Sequence, residues 1–318
     1  MSGPVRKFSL RKSTNLRENQ RENATGNEEK KKRIVGGAEP WNIYSFITMF
    51  IFYLCKKSLF METSVKLGIY LILVCCGSVV FDVFRFPKTY FSDKNNALNQ
   101  YFVKLSWGWT SILVAIFIYL TSFVYCCGNV YKITRHLSRL LVGTASWYFW
   151  TQIVFHKVEQ ATGMCSNTQI TNKILCVKSK FNWFGFDLSG HTFLLIHCLL
   201  IISEEVKPLK KWDKIRNFIF EEEKEMKNLN ESELIVLKDS FNQFTIYIRI
   251  LFIILTLLLL LWELMLIATV VYFHNMPQKL IAALIAVCNW FITYHIWFYC
   301  DLSPGRPGDL GIRYQHIK

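Results

Sequence analysis

Several kinds of chemistry are missing from this chain. It has no HExxH, no paired CxxC and no grouping of His, Asp and Glu at metal-ligand spacing, so no metal site is expected. A Gly-rich phosphate loop is also absent, and no cofactor is expected. No apolar stretch lies near Met1, which excludes the pattern of a cleavable signal peptide. The formal charge of +14 is scattered over loops and tails and matches no nucleic-acid module, so no nucleic-acid partner is expected.

What the chain does have is apolar surface. Of its 318 residues 52% are hydrophobic and 16% aromatic, with a mean hydropathy of +0.24, too apolar for a soluble domain of this size. The composition predicts an all-α polytopic membrane protein. Residues 1–40 hold ten Lys/Arg against five Glu and almost nothing apolar, and read as a disordered basic cytosolic tail. The segment 41–60 is apolar over only about 15 residues, short of the ~20 that span a bilayer, and is expected to form an interfacial helix. A transmembrane domain over 66–300 follows, with spans expected at 66–84, 105–127, 138–156, 188–204, 250–272 and 279–300. The charged stretch 205–249 reads as a cytosolic loop and 301–318 as a cytosolic tail. In this orientation nine of the 37 Lys/Arg fall on the opposite, lumenal face, in 85–104, 157–187 and at 279. The bias supports cytosolic termini.

The stretch Gly185-Phe186-Asp187-Leu188-Ser189-Gly190-His191 opens a nearly continuous apolar run. Ser189 can cap the helix that follows, Gly190 lets backbone approach a ligand, and the free N–H groups with the helix dipole favour an anion. His191 is then placed to donate a proton to a phosphate oxygen. A capped helix with an interfacial histidine is the plainer reading of the same residues. His274 ends the fifth expected span on the same face, so topology lets the two histidines meet. A neutral imidazole could attack phosphorus while a protonated one covers the leaving oxygen, since the ordinary histidine pKa of about 6.5 makes both states accessible.

Five blocks carry a resemblance: Asn95-Asn96 with Tyr101 to Trp107, Leu141 to Ala145, Gly185 to His191, Tyr272-Phe273-His274-Asn275, and Ser303-Pro304-Gly305. In this order they resemble the fat storage-inducing transmembrane protein family, from about residue 66 to the C-terminus. The resemblance implies a lipid phosphate phosphatase-like six-helix bundle in the endoplasmic reticulum membrane. It implies catalytic histidines at His191 and His274, with His274 as nucleophile and His191 as acid. The implied substrate is fatty acyl-CoA, split at its diphosphate into acyl 4'-phosphopantetheine and adenosine 3',5'-bisphosphate, with a role in lipid-droplet formation and diacylglycerol/triacylglycerol handling. Two other classes share these residues: a non-catalytic diacylglycerol/triacylglycerol-binding protein, and a phosphatase of lipid phosphate monoesters. The lipid phosphatases' SRxxxxxH arginine has no counterpart, because 267–273 contains no basic residue. The phosphate clamp is therefore expected from Lys104, Lys279 or backbone amides, with Ser189, Gly190 and Asn275 as further substrate-binding candidates.

Other residues invite plainer roles. Glu263, eleven positions before His274, returns to nearly the same helix face and reads as a structural hydrogen-bond partner or as part of a substrate-orienting network. His197 and His295 read as packing histidines and His156 as a solvated helix end. Cys165 and Cys176 share the expected lumenal loop and are predicted to form a disulfide. The sequons at Asn23 and Asn230 fall on the cytosolic side and should be unmodified.

Overall fold

The structure is a computed structural model that describes residues 43–308 apart from 85, 168, 214, 217–230 and 301–302. The basic tail, Asn23, Asn230, the acidic run 221–225 and most of the C-terminal tail lie outside the described residues.

The described chain is mostly helical. Helix α1 is Ile43–Leu59. Helix α2, Thr63–Ile72, passes through a π-helical turn at Leu73–Gly77 into α3, Ser78–Val83. Helix α4 is Ser106–Tyr125, and α5, Val130–Tyr148, runs through a π-helical segment at Phe149–Val154 into α6, Phe155–Ala161. A small ribbon follows, in which β1, Met164–Cys165, pairs antiparallel with β2, Trp183–Phe184, around α7, Lys173–Lys178. A disulfide joins Cys165 to Cys176, with the Cα atoms 5.9 Å apart. The chain then forms α8, Gly190–Glu205, α9, Glu231–Tyr272, and α10, Met276–Trp290, the last extended by a π-helical segment at Phe291–Ile296.

Among the described residues, four helical stretches are long and apolar enough to cross a membrane: Thr63–Val83, Ser106–Tyr125, Ser232–Tyr272 and Met276–Tyr299. The segments expected to span at 138–156 and 188–204 are helical but fall outside this group for different reasons. Helix α5 carries Lys132, Arg135, His136 and Arg139 on an otherwise mixed surface. Helix α8 has 16 residues, about 24 Å of rise, and every residue from Thr192 to Glu205 is buried. It is apolar all round because it is surrounded: α4, α9 and α10 pack against it. The stretch read as a loop over 205–249 is interrupted early, since α9 starts at Glu231. From there to Tyr272 the sequence has neither Gly nor Pro, so nothing ends the helix at the charged turns.

Polar groups tie these apolar helices together. Trp262 Nε1 donates to Thr110 Oγ1 at 3.0 Å, joining α9 to α4. The Leu141 to Ala145 block acquires a physical meaning here. A Cβ on Gly143 would lie 2.8 Å from the Trp107 ring, so glycine lets α4 and α5 close up. Trp107 Nε1 then donates to Thr144 Oγ1 at 3.2 Å, and the Gly143 carbonyl accepts from His197 Nε2 at 3.2 Å. His197 is thus a packing histidine, stacked on Phe193 with centroids 5.6 Å apart. His295 sits on the outer surface instead, stacked on Phe291. Glu263 accepts from Tyr70 Oη at 2.7 Å, a structural bond between α9 and α2.

At the far end from α8's first turn lies a buried ion pair. Arg139 donates to Glu205 through Nε at 2.8 Å and Nη2 at 2.7 Å, with side-chain exposures of 1% and 0%. Tyr294 Oη donates to the same carboxylate at 2.8 Å. His136 Nδ1 accepts from Arg139 Nη1 at 2.6 Å. An imidazole nitrogen that accepts from a guanidinium carries no hydrogen of its own, so Nδ1 is the unprotonated nitrogen of His136. Arg135 Nε reaches the Ser303 carbonyl at 2.8 Å, which explains why the Ser303-Pro304-Gly305 block is part of the fold rather than a free tail.

Candidate active site

Helix α8 begins as its sequence suggests. Ser189 is the N-cap, its Oγ accepting from Thr192 N at 3.3 Å and pairing with Thr192 Oγ1 at 2.8 Å. Its hydroxyl is fully buried and committed to the cap, so of the substrate-binding candidates it is one the structure uses locally. Nothing lies within 4 Å of a Cβ built on Gly190, which leaves open space at the first turn of α8. Gly185 is different: a Cβ there would lie 2.7 Å from the Glu159 carbonyl, so this glycine lets the 185–191 stretch lie against α6. Phe186 N donates to Thr162 Oγ1 at 3.0 Å, and Phe155 packs edge-on against Phe193 at 5.6 Å.

His274 occupies the turn between α9 and α10 with φ of 55°, a left-handed conformation that costs a side-chain-bearing residue of the order of 1–3 kcal/mol. The surroundings hold it there. Asn275 caps α10 in a capping box with Gln278. Asp82, from the end of α3, accepts from Met276 N at 2.8 Å. The Gln278 carbonyl accepts from Ser189 N at 3.4 Å, stitching the start of α10 to the start of α8. His274→Gly and His274→Ala lose the same ring, but only glycine is at ease at this φ. The glycine variant is expected to be more stable than the alanine variant by about 1 kcal/mol, read by thermal unfolding of the purified proteins in detergent.

The two histidines come to the same end of the bundle. His191, half-buried and making no hydrogen bond among the described residues, lies within electrostatic reach of His274 and of Lys104. His274 Nδ1 is 3.3 Å from Gln278 Oε1, which also accepts from Asn275 N at 3.2 Å, and 3.9 Å from Asp187 Oδ2. Both neighbours of Nδ1 are acceptors, so Nδ1 carries a hydrogen, and in the neutral ring it is Nε2 that holds the lone pair. That is the tautomer a nucleophile requires.

Of the two lysines considered as phosphate clamps, only one reaches this end as an exposed cation. Lys104 donates to Gln100 Oε1 at 2.7 Å and is otherwise open to solvent. Lys279 is 1% exposed, donates to the Val270 carbonyl at 2.8 Å and pairs with Asp82 at 3.6 Å, so its charge is used to brace the α9–α10 turn. The sequence alone assigns no role to Asp187 or Asp82. Asp187 was visible inside the Gly185 to His191 block; Asp82 had no local signal, because its partners lie nearly 200 positions away. Among the described residues no group of three or more His, Cys, Asp or Glu could hold a metal ion.

Comparison with known proteins identifies relatives. Residues 87–294 match the family model described as fat storage-inducing transmembrane protein. The chain is 37% identical over 291 residues to acyl-coenzyme A diphosphatase FITM2 of Drosophila melanogaster, covering 87% of this chain and 69% of that one. It is 35% identical over 239 residues to the Homo sapiens protein of the same name, covering 73% and 81%. With the Xenopus laevis protein it shares 35% over 247 residues, covering 74% and 85%. No solved structure matches the chain.

Proposed function

The chain belongs to the fat storage-inducing transmembrane protein family, and we propose that it is a fatty acyl-CoA diphosphatase of the endoplasmic reticulum membrane. It hydrolyses the CoA phosphoanhydride to acyl 4'-phosphopantetheine and adenosine 3',5'-bisphosphate and serves ER lipid homeostasis and lipid-droplet formation, handling diacylglycerol and triacylglycerol. The observation that carries this reading is the bond from Ser189 N to the Gln278 carbonyl, which sets the starts of α8 and α10, and with them His191 and His274, at one end of the bundle, with Asp187 3.9 Å from His274 Nδ1.

In this mechanism His274 Nε2 attacks one phosphorus of the anhydride, and the bond to the bridging oxygen breaks. His191 gives its proton to the departing phosphate. One half of the substrate is then held on His274, and Asp187 offsets the positive charge on the ring through Nδ1–H. Water, losing a proton to the now neutral His191, attacks the phosphohistidine and releases the second product. Both histidines return to their starting states, and no metal takes part. Lys104 and the N–H groups at the start of α8 face the phosphate oxygens.

The membrane reading that accompanies this has six spans in a lipid phosphate phosphatase-like arrangement. Helices α5 and α8 join the four stretches named above, the termini are cytosolic, and the histidines face the lumen. Helix α8 can cross although short because protein, not lipid, surrounds it. The acyl chain lies between helices and the nucleotide projects into water, since burying phosphate in hydrocarbon is prohibitively costly. Incubating the purified protein with oleoyl-CoA and chelator should yield the two named phosphates in equal amounts by mass spectrometry. Release of inorganic phosphate alone, or of free CoA, would rule this cleavage out.

A further inference from the structure

The first turn of α10 holds one residue that touches both halves of the candidate active site. Gln278 Oε1 accepts from Asn275 N at 3.2 Å. A backbone N–H can only donate, so this bond fixes which way round the Gln278 amide sits. The same oxygen is 3.3 Å from His274 Nδ1, which therefore faces an acceptor and carries a hydrogen. A main-chain group thus sets the tautomer of the imidazole through one side chain. Asp187 Oδ2 is farther away, at 3.9 Å, beyond hydrogen-bond length, and its side chain is 60% exposed. The hydrogen-bond partner of the ring is the amide, and the carboxylate acts on it as a charge alone.

The main chain of Gln278 reaches the other histidine's helix. Its carbonyl accepts from Ser189 N at 3.4 Å, and Ser189 is the N-cap of α8, two positions before His191. The next residue, Lys279, is pinned in turn: it donates to the Val270 carbonyl at 2.8 Å and pairs with Asp82 at 3.6 Å. Gln278 is therefore half-buried, anchored through its neighbour, and bonded to both sides of the site.

We infer that Gln278 is a positioning residue, which orients the attacking ring through its side chain and ties that ring, through its main chain, to the helix bearing the proton donor. The inference rests on the two-histidine reading of the reaction. A plainer role competes with it, since Gln278 also completes the capping box of α10. Glutamate separates the two. It serves a capping box as well as glutamine does and suits the first turn of a helix, so Gln278→Glu leaves the cap intact. A carboxylate in this place beside Nδ1, however, favours the protonated ring, which cannot attack phosphorus. The other charged and titratable groups around the ring are Asp187, His191, Lys104 within reach of His191, and the Asp82–Lys279 pair, and all are the same in wild type and variant.

The test uses the full-length protein in phosphatidylcholine nanodiscs with oleoyl-CoA. Gln278→Glu should unfold at the wild-type temperature or slightly above it, while the acid limb of its kcat/KM profile moves up by roughly one pH unit. Gln278→Leu should lose roughly 10- to 100-fold in kcat with KM changed little, and Gln278→Glu should recover most of that loss on the alkaline side of its shifted limb. A Gln278→Glu profile that superposes on wild type, with Gln278→Leu losing activity only in proportion to its folded fraction, overturns the inference and leaves the residue a cap. Nitrogen NMR of the histidine rings reads the tautomer without turnover. The His274 ring, recognised by its disappearance in His274→Gln, should show Nδ1–H in the wild type and a mixture of tautomers in Gln278→Leu. An unchanged ring spectrum in Gln278→Leu also overturns the inference. A wild type that shows the expected ring spectra but cleaves no acyl-CoA refutes the enzyme reading and keeps Gln278's hold on the ring.

Discussion

Replacing His274 by alanine is expected to abolish turnover of every substrate, whatever its leaving group. The reason is that in the proposed mechanism His274 Nε2 is the atom that bonds to phosphorus, and no covalent intermediate forms without it. The neighbours cannot substitute: Gln278 and Asp187 present oxygens to Nδ1, on the other edge of the ring. His191→Ala should behave differently. It removes the proposed proton donor, so the loss should be on the order of 10²- to 10⁴-fold for a poor leaving group and much smaller for one that departs as a stabilised anion, such as p-nitrophenyl phosphate. A series of aryl phosphates of rising leaving-group pKa, run on both variants, separates the roles. Parallel losses across the series would remove the assignment of nucleophile and acid, and full activity of both variants on acyl-CoA would remove the enzyme.

The largest expected loss of stability comes from the opposite end of the molecule. Arg139→Met strands the Glu205 carboxylate in a site with 0% exposure, leaving Tyr294 as its hydrogen-bond donor. Breaking a buried pair from one side costs about 3–5 kcal/mol. Glu205→Leu should be comparably damaging, since it leaves the buried Arg139 charge with His136 Nδ1 as its side-chain acceptor and no counter-ion from α8. The double variant Arg139→Met/Glu205→Leu removes both charges and should recover much of the loss. Unfolding in detergent, followed for all three proteins, measures the coupling. Additive losses in the double variant would mean that the pair contributes no mutual stabilisation.

The helical character and the ordering of apolar segments could be read directly, because long apolar runs leave few other structures. The partners that close the site could not. His191 and His274 stand out within their own blocks, as does the Ser189 cap. Lys279 reads as a phosphate-clamp candidate until Asp82, contributed by a helix nearly 200 residues earlier, is seen to take its charge. Arg139 looks like a reason to doubt a membrane segment until Glu205 arrives from α8. In each case the sequence displays one half of a pair, and tertiary packing supplies the other. The start of α9 was open to inspection, since 231–272 contains no helix breaker, but its charged first turns resemble a loop.

Helix α8 also bears on how the protein is made. With about 24 Å of rise and both ends bordered by polar groups, it would gain little from entering lipid alone. Glu205 at its end can find Arg139 as soon as it is made, because α5 precedes it, but the packing of α9 and α10 and the bond from Tyr294 come only later. Integration of α8 should therefore wait for the chain's last helices to emerge. A nascent chain halted before α9 would hold this segment unsettled at the translocation channel, where quality control can reach it. Truncations near the C-terminus should accordingly reduce abundance far more than their length suggests.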